Sequence, residues 1–269
     1  MTTDILDQPY DVPVDAIERF RRDGHVRLDG VLPTDEVDRF HAPIAAIAER
    51  ARHKAAPIEQ RDTYGKAFLQ LFNLWERDTG DVRRYVLSSR FARIAAALLG
   101  AERVRIYHDQ ALFKEPGGGA TPWHQDASYW PLDGTRCITM WMPLRPVDPT
   151  MGQMTFADGT HLDGPFADLV ISDESERELA RLVDERGLRL SEPSAMRAGD
   201  ASFHSGWTLH RAGPNTTDRM RDVMTVIWFA DGERVLEPAG PPQAHDLATW
   251  LPGCRPGDLA ASPRNPVVG

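Results

Sequence analysis

The sequence predicts a mainly β fold with flanking helices, a double-stranded β-helix of the jelly-roll, cupin-like kind. Three observations carry that expectation. After Gly100 the chain breaks into short segments rich in β-branched and aromatic residues, separated by Gly, Pro and Asp clusters, which is the pattern of an antiparallel barrel or jelly roll. Before Gly100 it reads mainly as helix. And 269 residues with 41% hydrophobic and 26% charged content suit one elaborated domain with a large core.

Each element has its own signal. Val14 to Arg22 forms a first helix that stops at Asp23-Gly24, and His25-Val26-Arg27-Leu28 then alternates as a short strand. Thr34 to about Arg52 is a second helix, with Thr34 as its N-cap and Val37, Phe40, Ile44 and Ile47 at helical spacing. Ser88-Ser89 caps a third, Phe91 to Leu99, which Gly100 ends. Strands are expected over Val104 to Phe113, Cys137 to Leu144, Gln153 to Phe156, Ser194 to Phe203 and Val223 to Phe229. Ser172 to Gly187, charged and with Leu179 and Leu182 spaced helically, reads as a helical insertion near the barrel mouth. The cluster Gly117 to Gly119 lacks a following Gly-Lys-Ser/Thr and reads as a flexible turn. The whole is one domain over residues 1–269: a helical part at about 14–100, a barrel core at about 101–235, and a Pro/Gly-rich tail at 236–269 expected as loop.

Composition excludes several functions. A net charge of -9 and no long run of Lys and Arg leave no footprint for nucleic acid. Only Cys137 and Cys254 are present, too few for a disulfide framework, a zinc knuckle or an iron-sulfur cluster, which fits a reducing cytoplasm. No basic and apolar leader opens the chain, and no apolar run nears the roughly 20 residues needed to span a bilayer. The expected partner is a small molecule, and the expected assembly a monomer or homodimer.

The chemistry centres on Trp123-His124-Gln125-Asp126. Residues i and i+2 of an extended backbone point the same way, so an imidazole and a carboxylate can converge on one ion. Far downstream stands Trp207-Thr208-Leu209-His210. Two imidazoles and one carboxylate on one face of a metal leave positions open for a chelating keto acid and O2. Taken alone, a His-x-Asp is more often a structural pair. Arg221, eleven residues after His210 and at the start of an apolar strand, is a guanidinium aimed into a barrel and suited to a carboxylate, although Asp218 and Asp222 could instead hold it in an ion pair.

Longer strings sharpen the reading. His108-Asp109-Gln110-Ala111-Leu112-Phe113-Lys114, Pro122-Trp123-His124-Gln125-Asp126 and Tyr129-Trp130-Pro131 resemble the first half of the phytanoyl-CoA dioxygenase (PhyH-like) family core. Ala157-Asp158-Gly159-Thr160-His161, Ala198-Gly199-Asp200, Phe203-His204, and His210 to Asn215 followed by Arg221 resemble the second, so the likeness runs in order from Gly24 to Phe229. It implies a 2-oxoglutarate-dependent oxygenase that uses Fe(II), 2-oxoglutarate and O2, with the metal on His124, Asp126 and His210 and the cosubstrate carboxylate on Arg221. It also implies cosubstrate contacts at Gln110, Trp141 and, through a looser match, Asn73. One departure stands out: where the family often has a cosubstrate-binding Ser two residues after the distal His, this chain has Ala212, so Thr139 or a water would replace that bond. Because Asp126 is not Ala or Gly, no halide site is vacated, and hydroxylation of an unactivated C–H bond is expected over halogenation; desaturation, cyclisation and epimerisation stay open. His161, His204, His108 and Asp200 are given structural roles. The expected pocket walls are Glu59 to Trp75 as helix, Ala127 to Asp133, Trp207 and the insertion Asp168 to Arg189. A cupin-like zinc hydrolase or isomerase, or a barrel that only binds a ligand, are the readings from other classes.

Overall fold

The computed structural model describes residues 4–166 and 169–269. Its elements run α1 (Val14–Asp23), β1 (His25–Leu28), α2 (Thr34–Arg52), α3 (Thr63–Ala67), β2 (Leu69–Phe72), α4 (Leu74–Arg77), α5 (Asp81–Val86), α6 (Ser89–Leu99), β3 (Val104–Phe113), β4 (Thr121–His124), β5 (Cys137–Pro143), β6 (Met154–Phe156), α7 (Asp173–Glu185), β7 (Ala201–Ser205), β8 (His210–Ala212), β9 (Val223–Ala230), α8 (Pro241–Trp250) and β10 (Val267–Val268). Two antiparallel sheets result. The larger has the order β1-β7-β5-β9-β3-β10, with β2 also on β3, and the smaller the order β4-β8-β6. Among the described residues this is a jelly roll of two sheets with no closed barrel. Among the described residues no helix is long and apolar enough to cross a membrane.

Strand alternation decides which face meets the helices. On β5, Ile138, Met140 and Met142 pack with Phe40 and Ile44 of α2 and Phe91 and Ile94 of α6, and on β9 Met224, Val226 and Trp228 join them. The alternate residues, Thr139, Trp141, Thr225 and Ile227, turn to the other side. On β3 the pairing slips between Ile106 and His108. That bulge flips the phase, so Ile106 stays in the helix-side core while His108 and Gln110 face inward.

Several local expectations need correction. Pro33, not Thr34, is the N-cap of α2, and the Thr34 hydroxyl donates to the Ala198 carbonyl at 3.0 Å. Of the expected strand Ser194 to Phe203, only Ala201 to Phe203 falls in β7, with Met196 making an isolated antiparallel bridge to Val147, because the chain reverses at Gly199 (φ +87°) and Asp200. There Asp200 accepts backbone N–H bonds from Gly30 and Arg197 at 2.9 and 2.8 Å, as its turn role requires. Leu69–Phe72, expected as helix, is the strand β2. The tail is not simply loop: Pro241 and Pro242 occupy the first turn of α8, where a missing N–H costs nothing, and β10 pairs with the start of β3.

Candidate metal centre and its cavity

β4 ends on His124 and β8 begins on His210, and the two are register partners with ring centroids 4.1 Å apart. Asp126 follows at the start of a single 3-10 turn, Asp126–Tyr129. Gln125 fixes this corner. Its Nε2 donates to the Gly164 and Trp207 carbonyls at 2.9 and 2.7 Å, and its Oε1 accepts from the Phe166 N–H at 2.9 Å. One ligand atom from each of His124, Asp126 and His210 then lies within 4.8 Å of the other two.

The hydrogen bonds behind the imidazoles set their tautomers. Nδ1 of His124 is 2.7 Å from the Pro122 carbonyl and Nδ1 of His210 is 2.9 Å from that of Thr208. A carbonyl only accepts, so each Nδ1 carries the hydrogen and each Nε2 presents a lone pair. Those Nε2 atoms lie 3.6 and 3.8 Å from Asp126 Oδ1. Burial holds both imidazoles below their ordinary pKa, His210 the more strongly because His124 and His204 stand beside it. Burial pushes Asp126 up, but His210, His204 and His124 together hold it well below the usual carboxylate range. Two lone pairs and an anionic oxygen facing one another fit a divalent cation and little else.

The other carboxylate oxygen is already engaged. Oδ2 accepts from the Thr139 hydroxyl at 2.9 Å and lies 3.1 Å from His204 Nε2. His204, given a structural role in the sequence, thus touches the triad directly, its ring 4.4 Å from that of His210. The signal was present but faint: alternation with the core residue Phe203 places His204 on the inner face. Thr139, expected against the cosubstrate, has its hydroxyl on Asp126.

Arg221 is buried at 1% exposure, and no carboxylate lies within ion-pair distance of it among the described residues. Asp222 turns away to His41 (2.7 Å) and Arg145 (3.5 Å), and Asp218 is exposed. The ion-pair alternative therefore fails. Among the described residues the guanidinium donates only to the carbonyls of Gly152 and Leu112 and its Nε has no partner, and the Trp141 ring lies 5.4 Å beneath it. Burial pulls its pKa down to about 9. Lys114, equally buried, donates to the Gly119 carbonyl, and burial with Arg221 nearby brings it down to about 6. A buried cation left unpaired is costly, and an anionic ligand would relieve it.

Triad and Arg221 open on one cavity of about 710 Å³ between the sheets. Gln110, Trp141 and Thr139 line it, as does Ala212. Asn73 does not; Gln70 faces the cavity instead and donates to Gln110 Oε1 at 2.9 Å. Of the expected walls, Tyr64, Phe68, Gln70 and Phe72, Tyr129 with Trp130, and Ile171 contribute. Trp207 packs elsewhere, against the core that includes Ala127, and Asp168 lies outside the described residues. The wall that sequence reasoning missed is α8, through Asp246, Thr249 and Trp250.

The family model for phytanoyl-CoA dioxygenase (PhyH) matches residues 20–223. Methylphosphonate hydroxylase of Gimesia maris is 28% identical over 155 residues, 56% of this chain and 55% of that enzyme, so the matched segment spans about half its length. Ectoine dioxygenase of Streptomyces anulatus is 23% identical over 259 residues, 87% of this chain and 84% of that one. Among solved structures, the non-heme alpha ketoglutarate dependent carbocyclase SnoK from nogalamycin biosynthesis superposes with a TM-score of 0.77 at 25% identity, covering 97% of this chain and 100% of that one.

Proposed function

The chain belongs to the phytanoyl-CoA dioxygenase family, and from that premise we propose that it is an Fe(II)- and 2-oxoglutarate-dependent oxygenase whose metal sits on His124, Asp126 and His210. One observation carries the reading: the two Nε2 lone pairs and Asp126 Oδ1 converge beside a buried guanidinium that has no protein anion. Bound together, Fe(II) and the keto acid supply an O2-activating centre able to attack an unactivated C–H bond.

The protein's own residues do the rest. The Pro122 and Thr208 carbonyls orient the imidazoles, while Thr139 and His204 hold Asp126 Oδ2 so that Oδ1 is the oxygen offered to the metal. Arg221 would receive the distal carboxylate of 2-oxoglutarate, with Trp141 stacked below and Gln110 nearby. Ring-bearing walls exclude water and orient a small or medium organic substrate. A zinc hydrolase would use the same triad but gives Arg221 no ligand to bind. Anaerobic titration with Fe(II) and 2-oxoglutarate tests the proposal: a weak visible charge-transfer band, absent with either component alone, is expected. Failure of the band to form in the wild-type chain would overturn it.

A further inference from the structure

Asp246 of α8 is 8% exposed and lines the cavity that holds the triad. Its Oδ2 accepts from the Tyr107 hydroxyl at 3.0 Å. Yet among the described residues no Lys, Arg or His nitrogen lies within 4 Å of this carboxylate. Other buried acids differ. Asp200 has Arg27 at 3.1 Å and Asp222 has His41 at 2.7 Å, while Asp109 is shut away from the cavity on the backbone N–H groups of Leu74 and Trp75. Burial pushes Asp246 up to about 7, a burden that a cation in the cavity would lift.

What surrounds it suits a cation. The Trp250 ring lies 5.3 Å from Phe72 and 4.8 Å from His108, and Phe72 and His108 are 5.4 Å apart, so three rings form one cluster on this wall. His108 is kept neutral by burial, which lowers it to about 3, and its Nδ1 is buried with no partner. A carboxylate beside electron-rich rings favours an ammonium group over a neutral or anionic one.

We propose that the cavity takes an organic cation, a protonated or quaternary amine on an apolar body, with its nitrogen seated against Asp246 among Phe72, His108 and Trp250. As the substrate class of this cavity, the assignment rests on the oxygenase reading above. It sets two charged groups of the cavity, besides the triad's Asp126, to different tasks: Arg221 for the anionic cosubstrate, Asp246 for the cationic substrate.

The test compares choline with its neutral isostere 3,3-dimethylbutan-1-ol by saturation-transfer NMR and tryptophan fluorescence. The wild-type chain is expected to prefer choline by at least about tenfold, Asp246→Glu to keep a preference, and Asp246→Asn to bring the two probes within about twofold. Equal affinities in the wild type, binding of neither probe, or an undiminished preference in Asp246→Asn would each overturn the assignment. The Fe(II) and 2-oxoglutarate band is recorded on the same samples. A band without charge discrimination leaves the oxygenase reading standing and removes the cation site; discrimination without a band does the reverse.

Discussion

Arg221 carries a charge that the protein alone does not balance, and a bound dicarboxylate would do so. Arg221→Ala is therefore expected to raise the 2-oxoglutarate concentration for half-maximal rate at least ~10-fold, since losing a partner of a buried charged pair costs roughly 2 to 5 kcal/mol. An unchanged requirement would return Arg221 to a purely structural role. His124→Ala, Asp126→Ala and His210→Ala should each abolish Fe(II)-dependent turnover with the circular dichroism spectrum retained, because the helix-side core does not include the triad. Substantial turnover in any two of these variants would end the metal assignment. Lys114 allows a test of sign. Its pKa falls from the ordinary 10.5 to about 6 in the fold, so between those values the unfolded chain holds a proton that the folded chain has released. Stability contributed by this residue should thus rise with pH across that window and be poorest below about 6. Lys114→Met should raise the urea midpoint at pH 7 and flatten its slope towards pH 9. The triad and Arg221 were legible in the sequence because rare residue types stood in short, recognisable strings. His204 was not, since its contact with Asp126 depends on strands whose register joins His204 to Thr139.

At the scale of elements, turns and bulges decide what the strands present. Gly199 lies at φ +87°, and a Cβ there would stand 1.9 Å from the Leu32 carbonyl oxygen. Gly199→Ala is expected to destabilise the fold by about 2 kcal/mol or more, read as a lowered urea midpoint, because backbone rather than a flexible side chain blocks it. The alternating cores of β5 and β9 and the capped helix α6 could be read from periodicity and from Ser88. The β3 bulge could not, although it is what brings His108 and Gln110 to the cavity. Nor could α8: its Pro-Pro start resembles a breaker, and its place on the cavity wall depends on the Tyr107 hydroxyl meeting Asp246 across 139 residues.

At the scale of the whole molecule the prediction concerns the reaction outcome. With Asp126 as the proposed ligand, no coordination site would be left for chloride, so the product is expected to gain one oxygen atom from O2 with one succinate and one CO2 formed, and added chloride should change neither rate nor product. Mass spectrometry under labelled O2 reads this directly. A product lacking the label would mean that the cavity diverts the reaction. The large sheet also has edges supplied by distant parts of the sequence, β1 against β7 and β10 against β3. The Thr208 hydroxyl meets the Gly24 carbonyl across 184 residues, and the Asn265 amide meets that of Ile106 across 159. A diffusing chain must close such loops before either edge is satisfied, so folding is governed by a long search and refolding from urea should take roughly milliseconds to seconds or longer. Tryptophan fluorescence, which sums seven tryptophans spread over helices, sheets and the cavity wall, should recover later than the far-ultraviolet signal of the helices.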